Sequence, residues 1–142
     1  MKRTVAREHV FRILFRYDFH EKKEFELQKN LYFDEYPDFS DYPEINDCPV
    51  ILELDRAELE TKINDVIVHI NEIDAKISEG CTGWKIERIG KAELTIIRLA
   101  VYEIYFDEAV DKAVAINEAV ELAKKYCDDK SPSFVNGVLS KI

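Results

Sequence analysis

The sequence predicts an all-α chain, on three observations. Apolar residues recur at helical spacing in six separate stretches. Helix start and stop signals bound several of them, including Asp55 with Glu58, Ser131 with Pro132, and the glycines at 80, 83 and 90. With 142 residues, of which 46% are hydrophobic, the chain suits one compact domain over residues 1–142.

The first stretch covers residues 1–19. Ala6, Val10, Ile13, Leu14 and Tyr17 fall at i, i+4, i+7, i+8 and i+11, a core-facing stripe. Phe11, Phe15 and Phe19 make a second stripe beside it, suited to an interior or to a homodimer face. Arg3 and Arg7 stand one turn apart on the edge of the first stripe, and Arg12 and Arg16 pair on another face. Arginines near a free helix N-terminus suit phosphate binding; the alternative is a solvated charged edge.

Residues 21–33 read as a short helix with Phe25, Leu27, Leu31 and Tyr32 as its apolar set. Residues 34–49 are acidic and aromatic, with prolines at 37, 43 and 49. They read as a long loop, either solvated or a protein-binding surface. The longest pattern begins at Asp55, placed as a cap with Glu58 completing a capping box. It runs through Leu59, Ile63, Val66, Ile67, Ile70, Ile73 and Ile77, and its length invites a bend near His69–Asn71.

Trp84–Ile89 is a short helical turn, broken by Gly90. Lys91–Asp107 follows, with Leu94, Ile97, Leu99, Ala100, Val101, Ile104 and Tyr105. Arg98, Glu103 and Glu118 read more economically as charge pairing between helices than as an active site. In Val114–Tyr126, Ile116, Ala119, Val120, Leu122, Ala123 and Tyr126 share a broad face, while Glu121 and Lys125 form an i,i+4 pair opposite. Cys127–Lys130 breaks the pattern. Ser131 then caps a last helix with Pro132 at its first position and Phe134, Val135, Val138, Leu139 and Ile142 as its stripe. Gly137 sits among them at a cost of about 1 kcal/mol relative to alanine, which a close helix crossing would explain.

The net charge of −9 is unevenly spread. Residues 1–20 carry +3, residues 21–79 carry −11, and the remainder carries −1. A basic end on an acidic body binds phosphate locally while the body repels it or attracts a basic protein. Cys48, Cys81 and Cys127 are too far apart for a Cys-x-x-Cys motif, and His9, His20 and His69 form no metal-binding helix motif. The four glycines cannot build a P-loop or a Gly-x-Gly-x-x-Gly turn, so nucleotide enzymes of those kinds are excluded. Core or surface thiols are expected in place of a metal site, and no cofactor is expected. No apolar run reaches 18 residues and no secretory leader is evident, so a cytoplasmic, non-membrane protein is expected.

Ile116-Asn-Glu-Ala-Val-Glu-Leu-Ala-Lys124 and Phe134-Val-Asn-Gly-Val-Leu139, in this order and spacing, resemble the C-terminal signature of the NusB family of transcription antitermination factors. Ile96-Ile-Arg-Leu-Ala-Val-Tyr-Glu103 is also similar to that family, and the first helix resembles the family's arginine-rich one through Ala6-Arg7-Glu8 and Leu14. The likeness is strong over about the last 60 residues and weaker over the first 20. It implies a non-enzyme of about seven helices in two small bundles packed across each other. It also implies binding of boxA RNA in ribosomal RNA transcripts, together with the ribosomal protein NusE in an RNA polymerase antitermination complex. The residues it implies for RNA are Lys2, Arg3, Thr4 and Arg7 at one end, and Ser131, Ser133 and Phe134 at the other, with Phe134 either stacking on an unpaired base or packed as plain core. Glu93 corresponds to a position used near NusE. Thr4 and Val5 stand where further arginines often occur, and Ser133 where a lysine does, so the cationic set is thin. A helical protein-interaction module without RNA binding is the alternative. The N-terminal module of an RNA cytosine methyltransferase is a third reading, set aside for want of a catalytic segment.

Overall fold

A computed structural model describes residues 2–35, 53–81 and 85–142. Most of the acidic 34–49 segment, Cys48, Gly83 and Trp84 lie outside the described residues. Among the described residues there are seven α-helices and no strand. The chain divides into two compact units, Met1–Asp65 and Val66–Ile142.

The first unit holds α1 (Arg3–Phe15), continued by a 3-10 turn at Tyr17–Phe19, α2 (Lys22–Glu35) and most of α3 (Glu53–Val68). Val10, Ile13 and Leu14 are buried as the α1 stripe requires, while Ala6 and Tyr17 are half-buried at its ends. Phe11, Phe15 and Phe19 touch in series, with centroids 6.2 and 5.0 Å apart, and pass from buried to exposed along the helix.

The expected apolar set of α2 needs correction. Phe25 and Tyr32 are buried, but Leu27 is 58% exposed and Leu31 also faces out. The inward face runs through Phe25, Lys29, Tyr32 and Phe33, at i, i+4, i+7 and i+8. Lys29 occupies a core position because its ammonium bonds Glu26 Oε1 at 2.8 Å and Asn64 Oδ1 of α3 at 3.3 Å. An ammonium would not be tolerated there without such partners. Tyr32 OH also lies 2.8 Å from His9 Nδ1, joining α2 to α1. Arg56 joins α3 to α2 by a 3.4 Å contact to Asp34 Oδ1 and a guanidinium 4.9 Å from the Phe33 ring.

Asp55 is not a cap: α3 already includes Glu53, so Asp55 lies inside it. The anticipated bend is present at His69, with φ −97° and ψ 9° between α3 and α4 (Ile70–Gly80). Its amide bonds the Val66 carbonyl three residues back, a tightened turn. The buried set Leu59, Ile63, Val66, Ile70, Ile73 and Ile77 nevertheless keeps its spacing through the break. The His69 ring stacks on Phe106, with centroids 4.2 Å apart.

The second unit is built on α5 (Lys91–Phe106), which packs against α4, α6 (Lys112–Tyr126) and α7 (Ser131–Ser140). Residues 94–97 and 99–103 are all buried, as a helix covered on several sides demands. Each aliphatic side chain so buried contributes on the order of 1.5–3 kcal/mol. Arg98 does tie helices together, and its partner is Asp74 of α4, with Nε–Oδ1 at 2.8 Å and a second bond, Nη2–Oδ2, at 3.0 Å. Glu121 contacts Lys124 at 3.1 Å, one residue short of the expected Lys125, whose ammonium lies 5.6 Å from the Tyr126 ring. The close approach expected at Gly137 is also corrected. A Cβ there meets nothing within 4 Å among the described residues, whereas one at buried Gly80 meets Ile142 Cγ1 at 3.2 Å.

Candidate nucleic-acid interface

The expected residues form two groups, one in each unit. On the first unit, Lys2, Arg3 and Thr4 are exposed at the start of α1. Three successive exposed residues at a helix N-terminus offer two cations, a hydroxyl and free backbone amides to a phosphate. Arg7 differs: it is 5% exposed and already engaged in the fold. A buried guanidinium is out of reach of a phosphate, so the accessible cations of this end narrow to Lys2 and Arg3.

On the second unit, the break between α6 and α7 forms the other group. Asp128 supplies the cap that Ser131 was expected to give. Its Oδ1 accepts the amides of Lys130 at 2.9 Å and Ser131 at 3.2 Å, and Ser131 is itself the first helical residue. These bonds, the Lys130 amide foremost and then the Ser131 hydroxyl, hold the Asp128 carboxyl below its usual range. Ser131 is buried, and its Oγ lies 2.8 Å from Glu93 Oε1 and 3.1 Å from Asp128 Oδ1. The Cys127 thiol is pushed up to about 11 by burial first, then by the adjacent Glu93 carboxylate.

Phe134 is half-buried and lines a recess of about 360 Å³ with Arg88, Ile89, Gly90, Glu93, Asp128, Lys130 and Ser131. The recess has an aromatic wall, two carboxylates and two cations at its rim, a combination fit for a flat polar group. Ser133 points elsewhere. It is exposed and lines a separate groove of about 580 Å³ between α6 and α7, with Ile116, Asn117, Val120, Lys124 and Asn136. Ser131 and Phe134 thus share a recess that Ser133 does not. Asp128 and Lys130 stand beside the Ser131–Pro132 start signal in sequence, whereas nothing in the spacing points to Arg88.

The NusB family model matches residues 4–142, both units of the chain. A transcription antitermination protein NusB of Agathobacter rectalis is 46% identical over 141 residues, covering 99% of this chain and 98% of the relative. The chain belongs to the NusB family. Its relatives are antitermination factors, not enzymes. Among solved structures, T. maritima NusB superposes with a TM-score of 0.79 at 27% identity, covering 99% of this chain and 89% of that one. A structure of the antitermination factors NusB and NusE in complex with dsRNA superposes with a TM-score of 0.74 at 30% identity, covering 97% and 92%. No helix among the described residues is long and apolar enough to cross a membrane.

Proposed function

We propose that this chain binds boxA RNA of ribosomal RNA transcripts jointly with the ribosomal protein NusE. The complex then promotes read-through by RNA polymerase in the cytoplasm, with residues 1–142 acting as one module. The observation that carries this reading is the likeness, at 30% identity over nearly the whole chain, to a NusB bound with NusE and RNA. Lys2, Arg3 and Thr4 serve phosphate contacts from the start of α1. Phe134 offers its ring to a base, and Ser133 a hydroxyl from the adjoining groove. Ser131 acts from within the recess. Arg7 serves the RNA by holding α1 in shape. Glu93, one oxygen of which bonds Ser131, faces NusE.

So few exposed cations on a body of net charge −9 give weak binding alone. NusE therefore supplies much of the affinity. Fluorescence titration of a labelled boxA RNA at two salt concentrations, with and without NusE, tests this. Binding that is salt-sensitive and strengthened by NusE is expected. Tight binding by the chain alone, unchanged by NusE, contradicts the proposal, and NusE binding without any RNA binding turns the chain into a protein adaptor.

A further inference from the structure

The turn before α7 is joined to α5 by a chain of bonds that ends at Phe134. The Asp128 carboxylate receives the Lys130 amide at 2.9 Å, and the Lys130 carbonyl in turn receives the Phe134 amide at 3.2 Å. Ser131 has one hydroxyl proton between two carboxylates, which when ionised can accept but not donate. The hydroxyl is shared between Glu93 Oε1 at 2.8 Å and Asp128 Oδ1 at 3.1 Å, and so bridges the turn to α5. Glu93 lies in the first turn of α5 and folds back over its N-cap residue, Gly90. Its other oxygen, Oε2, occupies the space where a Cβ on Gly90 would stand. The turn is thus fixed from within by Asp128 and to α5 by Ser131, Glu93 and the bare Cα of Gly90.

We propose that Asp128 and Gly90 are positioning residues for Phe134, holding its ring ready in the recess before RNA arrives and touching no RNA themselves. This rests on Phe134 being the base-stacking residue. A carboxylate beside an RNA path opposes binding by its charge, so Asp128 is expected to show two effects of opposite sign. Its shape favours affinity through the fixed turn, and its charge disfavours it. Two substitutions separate them. Asp128→Asn keeps the oxygen that accepts the two amides and removes the charge. Asp128→Ala removes both.

The experiment measures boxA RNA affinity, with NusE present, for wild type, D128A, D128N, G90A, F134A and the double variant D128A/F134A, all checked for unchanged helix content. Amide hydrogen exchange over residues 130–134 is followed without RNA. The proposal expects D128A to weaken binding about fivefold, the scale of a lost helix cap. D128N should bind as wild type or better, and D128A should weaken binding no further once Phe134 is gone, leaving only the gain from the lost charge. Exchange at Ser131 and Phe134 should quicken in D128A and not in D128N, and G90A should shift both readouts in the same direction as D128A. Equal tightening by D128A and D128N overturns it, since charge alone then acts. An undiminished D128A effect in the F134A background overturns it too. If wild type binds no RNA, the stacking reading fails separately, and exchange unaltered by D128A then removes the fixed turn as well.

Discussion

At the scale of single residues, the side chains that matter most are those whose surroundings contradict their type. Gly137 is the plainest. Its signature position led to the expectation of a close crossing, yet it is exposed with open space around it. Gly137→Ala should therefore stabilise the chain by about 1 kcal/mol through helix propensity, raising Tm by about 3 °C in a thermal melt. A fall in Tm would mean that the packing there differs. Cys127 is a second case. Its pKa of about 11 leaves it a neutral thiol at pH 7. Iodoacetamide, followed by mass spectrometry, should label it far more slowly in the folded chain than in urea. The sign for stability follows. The thiol's pKa is higher folded than unfolded, so its contribution holds below pH 9 and is lost as pH rises from about 9 toward 11. Arg7 shows the limit of sequence at this scale. Its neighbours in sequence mark it as one of a basic cluster, and only burial separates it from Arg3.

At the scale of elements, helical periodicity located α1, α5, α6 and α7 well, because each carries a stripe of buried aliphatics at i, i+3 and i+4 spacing. It failed on α2, where two leucines face out and a lysine faces in. The reason is physical: periodicity weighs apolar residues and is blind to Glu26 and Asn64, which make a buried Lys29 tolerable. The break at His69 was legible from length; the stacking of its ring on Phe106 was not. The start of α7 was found from Ser131–Pro132, but its cap comes from Asp128, three residues earlier, through bonds that residue type alone does not announce. Between elements, Arg98 and Asp74 join α5 to α4 by two charge-assisted bonds. Arg98→Ala should cost about 2–3 kcal/mol in urea denaturation, less than for a fully buried pair because Asp74 is partly exposed. Arg98→Lys, which loses the two-point geometry, should recover only part of it. A cost under about 0.5 kcal/mol for Arg98→Ala would place this pair among ordinary surface bridges.

At the scale of the whole molecule, the family was legible because its signature lies in α5, α6 and α7, which together make the second unit's core. Such packing constrains residue after residue, so the match survives in the sequence. The candidate site was less legible. A recess is made by residues from the turn before α5, from α5 and from the α6–α7 break, and no spacing rule joins Arg88 to Lys130. The charge pattern says more at this scale. An acidic body with a small basic end should bind RNA through few phosphates, and those few should be countable. The most direct measurement is the salt dependence of boxA affinity, with NusE present, for wild type and for the Lys2→Ala/Arg3→Ala double variant. For a single strand the slope of log K against log salt is about −0.7 per phosphate neutralised, so losing both cations should flatten it by about 1.4 and weaken binding at low salt. An unchanged slope and affinity would contradict the central claim that the start of α1 holds the RNA backbone.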